Sequence, residues 1–399
     1  MNVKSLFLAI ITPLTFFALE AKSFEVQGKL GGEAILFSDE AKYSDQHNQY
    51  FSTMIEAEFF HAINDKQELK GKLFYRYDVN SESRTHGDIR ELMFNHYEED
   101  WELNIGIGKV FWGTTESRHL VDVINQVDWV ESLDDEARLG QPMVQAKLIK
   151  EWGVLDLFIL PYFREIQYLG NEGRPRINPV IQNNDAVFQS KSKQNKIDFA
   201  GRWSQTFDDL EIGISGFVGT QRTPLFKPEI LPGGVELIPI YVQTAQIGID
   251  AQYIYQDFLL KTEMLARESH QLDYSKHQSF AGVVGLEYTL VGAFDTVYDI
   301  GLITEYMYDD WEAITSFQND LMVGIRFVMN DTQSTELLVG GITDLEDGSQ
   351  FWSLEASRRI GDNWKAEVLA RAVANVDDKN TISAYKQDDL FSFRLYYYF

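Results

Sequence analysis

The sequence contains no cysteine, and beyond its N-terminal segment it contains no apolar run long enough to form a membrane-spanning helix. A transmembrane helix requires about 20 consecutive apolar residues, so a helical membrane protein is excluded. The lack of cysteine also excludes lipid attachment at a processed N-terminus, and it fits an exported protein that avoids stray disulfides. If this chain crosses a membrane, it must do so with strands.

Basic residues are scarce relative to acidic ones. The chain has 35 lysines and arginines against 61 aspartates and glutamates, which gives a formal net charge of −26. A surface this acidic repels a phosphate backbone, so nucleic acid is not expected as a partner. The charge reports on solubility and association, and it does not name a ligand.

Signatures of catalysis and of cofactor binding are missing as well. The segment 106–109, Gly-Ile-Gly-Lys, lacks the spacing of a phosphate-binding loop. The 7 histidines show no spacing that is typical of metal ligands. The sequence therefore predicts that the protein is not an enzyme and that it binds neither a cofactor nor a metal.

Residues 1–23 have the pattern of a secretory signal peptide. A lysine near the start is followed by a short apolar core, and the small residues Ala21 and Ser23 come before Phe24. The pattern predicts cleavage before Phe24, with cleavage after Ala21 as the alternative. A single domain is then expected over residues 24–399.

From Phe24 onward the chain repeats one unit, in which an alternating apolar and polar segment is followed by a turn. In the segment 68–79, for example, Tyr75 and Tyr77 fall on one face while Lys72 and Arg76 fall on the other. This alternation is typical of strands. The pattern predicts eighteen strands, near residues 24–38, 50–62, 68–79, 88–98, 101–110, 142–150, 153–163, 194–206, 210–220, 240–255, 258–268, 278–290, 296–308, 318–329, 334–344, 350–360, 364–375 and 389–399.

The connections between these strands alternate between eight short turns and nine longer polar loops. An even strand number with short turns at one end and long loops at the other is typical of an outer-membrane barrel. The predicted fold is therefore all-β: a transmembrane antiparallel β-barrel of about eighteen strands, with short periplasmic turns and long extracellular loops. Sixteen strands remain the alternative if two segments are hairpins within loops.

The last eleven residues carry the clearest family resemblance. Phe391, Phe393, Leu395, Tyr397 and Phe399 alternate with polar residues, and the chain stops on Phe399. This ending resembles the C-terminal signature of Gram-negative outer-membrane β-barrels, which the barrel-assembly machinery reads in that family. The resemblance implies that Leu395, Tyr397 and Phe399 form an assembly signal. It also implies a location in the outer membrane, with the lipid bilayer and lipopolysaccharide as partners.

Aromatic residues lie near the ends of the predicted strands. An indole or phenol ring prefers an environment with one apolar and one wet side, so these residues predict two girdles at the membrane interfaces. The alternative is that they are scattered core aromatics. The residues assigned to the girdles are Trp101, Trp203, Tyr253, Tyr255, Tyr306, Tyr308, Trp311, Trp352, Trp364 and the terminal tyrosines.

The faces opposite the apolar ones carry charges of both signs. Unpaired charges in a dry core would be very costly, so these faces predict a hydrated interior. An eighteen-stranded barrel is wide enough for an aqueous channel. The basic residues assigned to the lumen wall are Lys72, Arg76, Lys147, Arg202, Arg267, Arg326, Arg371 and Arg394.

The long loop 111–141 is expected to be the third outer loop. It holds seven acidic and two basic side chains. In porins the third outer loop folds into the lumen and narrows it, and the resemblance implies that role here, with acids of the loop opposing bases of the wall. The alternatives are a solvated loop outside the barrel, or a barrel plugged by the fourth and fifth loops. The expected constriction residues are Glu116, Arg118, Asp122, Asp128, Glu131, Asp134, Asp135, Glu136 and Arg138.

The segment 108–113, Gly-Lys-Val-Phe-Trp-Gly, is similar to a G-[KR]-x-x-W-G segment of several porin-like outer-membrane families. The eighteen-strand count resembles sugar-specific porins, amino-acid and carboxylate channels, and an alginate exporter. The chain is thus expected to be a porin for passive diffusion of small hydrophilic solutes, and related porins are often homotrimers. The alternatives are a plugged or adhesive structural barrel, and a specific import or export channel.

Overall fold

Eighteen strands form one closed antiparallel sheet. The computed structural model describes residues 24–132, 136–231 and 234–399, so the expected signal peptide over 1–23 lies outside the described residues. The strands are β1 (Phe24–Phe37), β2 (Gln49–Asn64), β3 (Gln67–Asp78), β4 (His86–Tyr97), β5 (Trp101–Gly108), β6 (Gln141–Lys150), β7 (Gly153–Leu160), β8 (Val187–Phe188), β9 (Asp198–Phe207), β10 (Leu210–Thr220), β11 (Leu225–Leu231), β12 (Gly234–Tyr241), β13 (Gln243–Tyr255), β14 (Phe258–His270), β15 (Lys276–Leu290), β16 (Asp299–Asp309), β17 (Asn319–Val328), β18 (Glu336–Asp344), β19 (Gln350–Ile360), β20 (Trp364–Ala374) and β21 (Leu390–Tyr398).

The barrel closes between its first and last strands. The paired residues of β1 and β21 run from Lys29 opposite Tyr398 to Phe37 opposite Leu390. The backbone of Phe399 adds two further hydrogen bonds, because its N–H donates to the Gly28 carbonyl and its carbonyl accepts from the Gly28 N–H, both at 3.0 Å. The predicted eighteen-stranded antiparallel barrel is confirmed.

Alternation along the strands explains why the sequence forms this sheet. On β14, Glu263 and Leu265 are buried inside the barrel, whereas Leu260 and Met264 are exposed on its outer surface. The outer face of nearly every strand carries exposed apolar side chains of this kind. An apolar belt this large is stable only in lipid, because in water it would be an association surface.

Most of the predicted girdle aromatics lie on the outer surface. Trp101, Tyr255, Tyr306 and Trp352 are exposed there. The prediction is wrong for Trp311, which is buried in the loop after β16. It packs with apolar residues of the 221–242 loop and lies 5.3 Å from the guanidinium carbon of Arg267. Its place after the end of β16, rather than within the alternating segment, explains the difference.

Three strands lie outside the barrel wall. β11 and β12 form a hairpin, and β12 also pairs in parallel with β8 through Ile240 opposite Val187. This small sheet joins the loops 161–197 and 221–242, and the sequence did not predict it. Pro228 and Pro239 in the hairpin weaken a strand signal, because proline cannot donate to a β-ladder.

In the described part of the chain, the remaining regular structure consists of short 3₁₀ turns at Lys193–Asn195, Ala293–Asp295, Glu312–Ile314 and Thr381–Tyr385. Within the described ranges, no helix has the length and the apolar character that a membrane span needs. Both ends of the described chain lie at the same end of the barrel, since an even number of strands separates them. The long connections 109–140, 161–197 and 221–242 all leave from the opposite end.

Candidate pore and constriction

The connection between β5 and β6, residues 109–140, is called loop 3, and its described residues contact inward-facing side chains of distant strands. Its Thr114 and Thr115 N–H groups donate to the Glu263 carboxylate of β14 at 2.8 and 3.1 Å. The Ser117 N–H donates to the Glu305 carboxylate of β16 at 2.7 Å. Since β14 and β16 are not neighbours of β5 or β6 in the sheet, loop 3 must cross the lumen to reach them.

The carboxylates of Glu263 and Glu305 each accept several hydrogen bonds from loop 3. Glu263 also accepts from the Thr115 hydroxyl at 2.7 Å and from the Val121 N–H at 3.2 Å. Glu305 accepts from the Glu116 N–H at 2.8 Å. Both carboxylates are fully buried, and a buried carboxylate is stable when several N–H groups satisfy it. These two residues are therefore the anchors of loop 3 on the wall.

The start and the end of loop 3 are held together by Asn125. Its side-chain amide donates to the carbonyls of Gly108 and Leu139 at 2.9 and 2.8 Å. Its carbonyl oxygen accepts from the Val110 N–H at 2.9 Å. The buried Trp112 packs edge-on against Phe158 of β7, with ring centroids 5.6 Å apart. These contacts fix the direction in which the chain leaves the wall.

Gly113, the last residue of the Gly-Lys-Val-Phe-Trp-Gly segment, has a backbone conformation that favours glycine. Its φ of +150° is one that side chains rarely adopt, and a Cβ there would lie 3.0 Å from the Glu263 carboxylate. Any larger residue would therefore be strained and would crowd the anchor. The similarity noted in the sequence thus falls on the point where loop 3 turns toward its anchor.

Further along loop 3, Glu131 binds the wall at β3. Its carboxylate accepts two hydrogen bonds from Arg76, at 2.8 and 2.7 Å. Arg76 is fully buried and also pairs with Glu33 of β1, which in turn accepts from Arg84 and Arg394. A buried charge is tolerated only when it is paired and hydrogen-bonded. This network therefore joins loop 3 to strands β1, β3 and β21.

The charged residues predicted at the constriction are mostly engaged with partners. Glu131 and Glu116 contact bases of the wall, whereas Arg118 contacts an acid of the wall, and Asp122 and Glu136 pair within loop 3. Asp128 is buried, with Arg90 at 3.7 Å. Asp134 and Asp135 lie outside the described residues. The pairs are Glu116 with Arg326 (2.7 Å), Arg118 with Asp309 (2.8 Å), Asp122 with Arg138 (3.1 Å) and Glu136 with His119 (3.0 Å).

Each of the predicted wall bases faces inward and pairs with an acid. Most of these partners lie on a nearby strand, so the wall is a set of ion pairs rather than a row of free positive charges. The sequence could place the bases on the inner face by alternation, but it could not assign their partners. The pairs are Lys72 with Glu58, Arg76 and Arg394 with Glu33, Lys147 with Glu102, Arg202 with Asp250, Arg267 with Asp309, Arg326 with Glu287 and Arg371 with Glu355.

Burial and nearby charges shift the pKa values of carboxyl groups in loop 3. Burial raises the pKa of Asp122 to about 6, although Arg138 lowers it in part. Burial likewise raises the pKa of Asp128, with the nearby Glu131 charge adding to the effect. For Glu131 burial alone would raise the pKa, but Arg76 outweighs it and holds the pKa below its usual value. Asp122 is thus a carboxyl of loop 3 whose charge changes near pH 6.

The loops 161–197 and 221–242, called loop 4 and loop 5, cover part of loop 3. Ile166, Tyr168 and Ile181 of loop 4 form an apolar cluster with Val127 of loop 3. From loop 5, Arg222 donates to the carbonyls of Val123 and Ile124 at 3.0 and 3.1 Å. The three loops therefore pack as one body inside the mouth of the barrel.

Loop 4 also binds residues of the loops that follow β1 and β20. The buried Arg174 donates to the Asp388 carboxylate at 2.7 Å and to the Asp39 carbonyl at 2.9 Å, and it stacks on Phe37 at 4.2 Å. The Tyr50 hydroxyl of β2 donates to the Glu172 carbonyl at 2.6 Å. These contacts join loop 4 to the loops that precede β2 and β21.

Beside this packed body a cavity of about 840 Å³ remains. Loop 3 contributes Arg118, Asp122 and Arg138 to its lining, and the wall contributes Ile342, Phe351 and Arg371. A cavity of this size can hold an organic solute of moderate size. Its lining mixes charges of both signs with apolar side chains.

Solved structures of known proteins share this fold over almost the whole chain. OpdQ of Pseudomonas aeruginosa is similar with a TM-score of 0.53 and 10% identity, over 95% of this chain and 98% of that chain. The protein has the fold of a porin-type outer-membrane barrel. OccD3 (OpdP) of the same organism gives a TM-score of 0.52 and 9% identity, over 95% of this barrel and 91% of that chain. OccK8 (OprE) of Pseudomonas aeruginosa gives a TM-score of 0.52 and 10% identity, over 95% of this chain and 98% of that chain. No protein-family model matches the barrel's sequence, and no curated protein matches it.

Proposed function

We propose that this protein is an outer-membrane porin of a Gram-negative bacterium, through which small hydrophilic solutes diffuse passively. The observation that carries the proposal is the interior of the barrel, where charged side chains of both signs surround a cavity of about 840 Å³ next to loop 3. Charged inward faces need water or partners, and a closed barrel of eighteen strands leaves room for both.

In this account loop 3 is the constriction. Its anchors on β14 and β16 carry it across the lumen, and its contact with Arg76 holds its later part against β3. Because Glu116 and Glu131 already pair with wall bases, only weak ion selectivity is expected from loop 3. The remaining expectations belong to the same proposal: assembly through the C-terminal signal, contact with lipopolysaccharide, a homotrimer, and no catalytic activity.

The test of this function is solute flux into liposomes. We expect the refolded barrel to let small sugars and amino acids enter, with rates that fall as the solute grows. Deletion of 114–136 is expected to raise the rates and the size limit, because it removes the segment that crosses the lumen. Heat-modifiable migration in gels serves as the control for folding of both proteins.

A plugged barrel is the second candidate, and one observation favours it. Loops 3, 4 and 5 meet in one apolar cluster, in which Val127, Ile166, Tyr168 and Ile181 are buried and Phe226 and Leu237 pack against them. For this candidate we expect no flux from the folded wild-type protein and flux only after the deletion. Flux through the wild type would exclude it.

A further inference from the structure

The two sides of the barrel interior differ sharply in exposure. On β14, β15 and β16 the inward residues are buried along most of each strand, from Lys261 to Ser269, from Ser279 to Glu287 and from Gly301 to Asp309. On β19 and β20 the inward residues at alternate positions of Phe351–Arg359 and Lys365–Val373 are all partly or fully exposed. The inner wall is thus covered along β14, β15 and β16 and open along β19 and β20.

The packing of the loops explains this difference. The anchors of loop 3 lie on β14 and β16, and its ion pairs reach β3, β16 and β17. On β18 the inward residues Leu338, Gly340 and Ile342 are partly exposed. The cavity beside loop 3 reaches this region at Ile342, Phe351 and Arg371, and it also extends to Phe217, Gln246 and Arg267 on the covered side. The run of exposed inward residues that starts at this cavity lies on β18, β19 and β20.

The open wall carries alternating charges rather than one sign. Arg371 donates to the Glu355 carboxylate at 2.7 Å, and Lys365 pairs with Glu367 at 2.8 Å. The partners in the first pair are not equally accessible, because the Glu355 side chain is 47% exposed and the Arg371 side chain is 12% exposed. An exposed carboxylate with a shielded partner presents negative potential to passing solutes.

We propose that solutes cross the barrel along the wall formed by the inward faces of β18, β19 and β20, and that Glu355 sets the preference for cations at that wall. This inference rests on the proposed porin function, and it adds the path that solutes take and the residue that determines the ion selectivity. The route is off-centre, and it lies away from β14 and β16, where loop 3 is anchored.

Thiol accessibility tests the route. Because the chain has no cysteine, any introduced cysteine is its only thiol. Ser357→Cys places it on the inward face of β19, where Ser357 is partly exposed. The matched control, Ser215→Cys, makes the same change at an inward serine of β10 that is 6% exposed. If the control fails to fold, Ser269→Cys replaces it, since Ser269 is inward and fully buried.

Each variant is recorded in planar bilayers before and after addition of a trimethylammonium methanethiosulfonate reagent. We expect a stepwise loss of current for Ser357→Cys and no change for the control. Equal effects on both, or an effect on the control alone, would overturn the route. An absence of current from every folded variant before the reagent would instead contradict the porin function, so the two failures are distinguishable.

The selecting residue is tested by the reversal potential under a salt gradient. Glu355→Gln keeps the size of the side chain and removes its charge, so the reversal potential is expected to shift toward that of a non-selective channel. The control is Glu268→Gln, an outward-facing position at the loop end of β14 where the carboxylate pairs with Lys276. An unchanged reversal potential for Glu355→Gln, or an equal shift in both, would overturn the role of Glu355.

Discussion

At the scale of single residues, the position of loop 3 depends on carboxylates that face the lumen. Alternation placed Glu263 and Glu305 on inward faces, and the sequence suggested only that such faces would be hydrated. The structure shows them accepting hydrogen bonds from loop 3, a segment about 150 to 190 residues away in sequence. Contacts at that separation leave no local pattern, which is why the anchors could not be predicted.

Removal of one anchor should loosen loop 3 without opening the barrel. In Glu263→Ala the Thr114, Thr115 and Val121 N–H groups lose their acceptor, and each buried donor left unsatisfied costs about 1–3 kcal/mol. We expect larger fluctuations of the open-channel current and a higher mean conductance. Glu268→Ala on the outward face of the same strand is the control. Identical current records for the two variants would contradict the anchoring role.

The charge of Asp122 should make selectivity depend on pH. Its pKa is raised from 3.8 to about 6 by burial, so the associated stability is fully present below about 3.8 and is lost as the pH rises through about 6. Above about pH 6 the carboxylate is charged beside the cavity, and the preference for cations is expected to increase. The reversal potential measured from pH 5 to pH 8 should show this step, and Asp122→Asn should lack it.

His119 must be separated from Asp122 in that experiment. The pKa of His119 is also raised, because Glu136 outweighs the effect of burial, so the histidine keeps its charge to a higher pH than an ordinary histidine. His119→Gln is therefore measured in parallel. The account of Asp122 is wrong if the step survives in Asp122→Asn and disappears in His119→Gln.

At the scale of elements, period-two patterning was sufficient for the whole barrel wall. A segment such as 258–270 exposes apolar residues to lipid on one face and buries charged ones on the other, and that contrast is readable in the sequence. The small sheet of β8, β11 and β12 was missed because β8 has only 2 residues and because β11 and β12 each contain a proline. The prediction for Trp311 was wrong because a residue just after a strand end has the same place in the sequence as a girdle residue. Only the folded loop shows that Trp311 is buried.

The last element gives a prediction about assembly. Phe399 pairs with the Gly28 backbone where the barrel closes, and its ring lies so close to Gly28 that a Cβ there would be 2.8 Å away. We expect Phe399→Ser to reduce the amount of heat-modifiable barrel in the outer membrane. Phe391→Ser, on the same outward face of β21, should reduce it less. Equal yields from the two variants would contradict a role specific to the terminal residue.

At the scale of the whole molecule, the barrel combines a lipid-facing apolar belt with an interior of paired charges. The sequence predicted the closed eighteen-stranded fold and the residue types of the lumen. It did not predict that loops 3, 4 and 5 pack together, since that arrangement depends on contacts between distant segments such as Arg222 with Val123. The proposed porin function rests on the space that this packing leaves.

The most direct test of that account is the single-channel conductance of the refolded wild-type protein in a planar bilayer. The account predicts stable, long-lived openings with weak cation preference, and a higher conductance after deletion of 114–136. A folded, heat-modifiable protein that inserts into the bilayer and passes no current would contradict it.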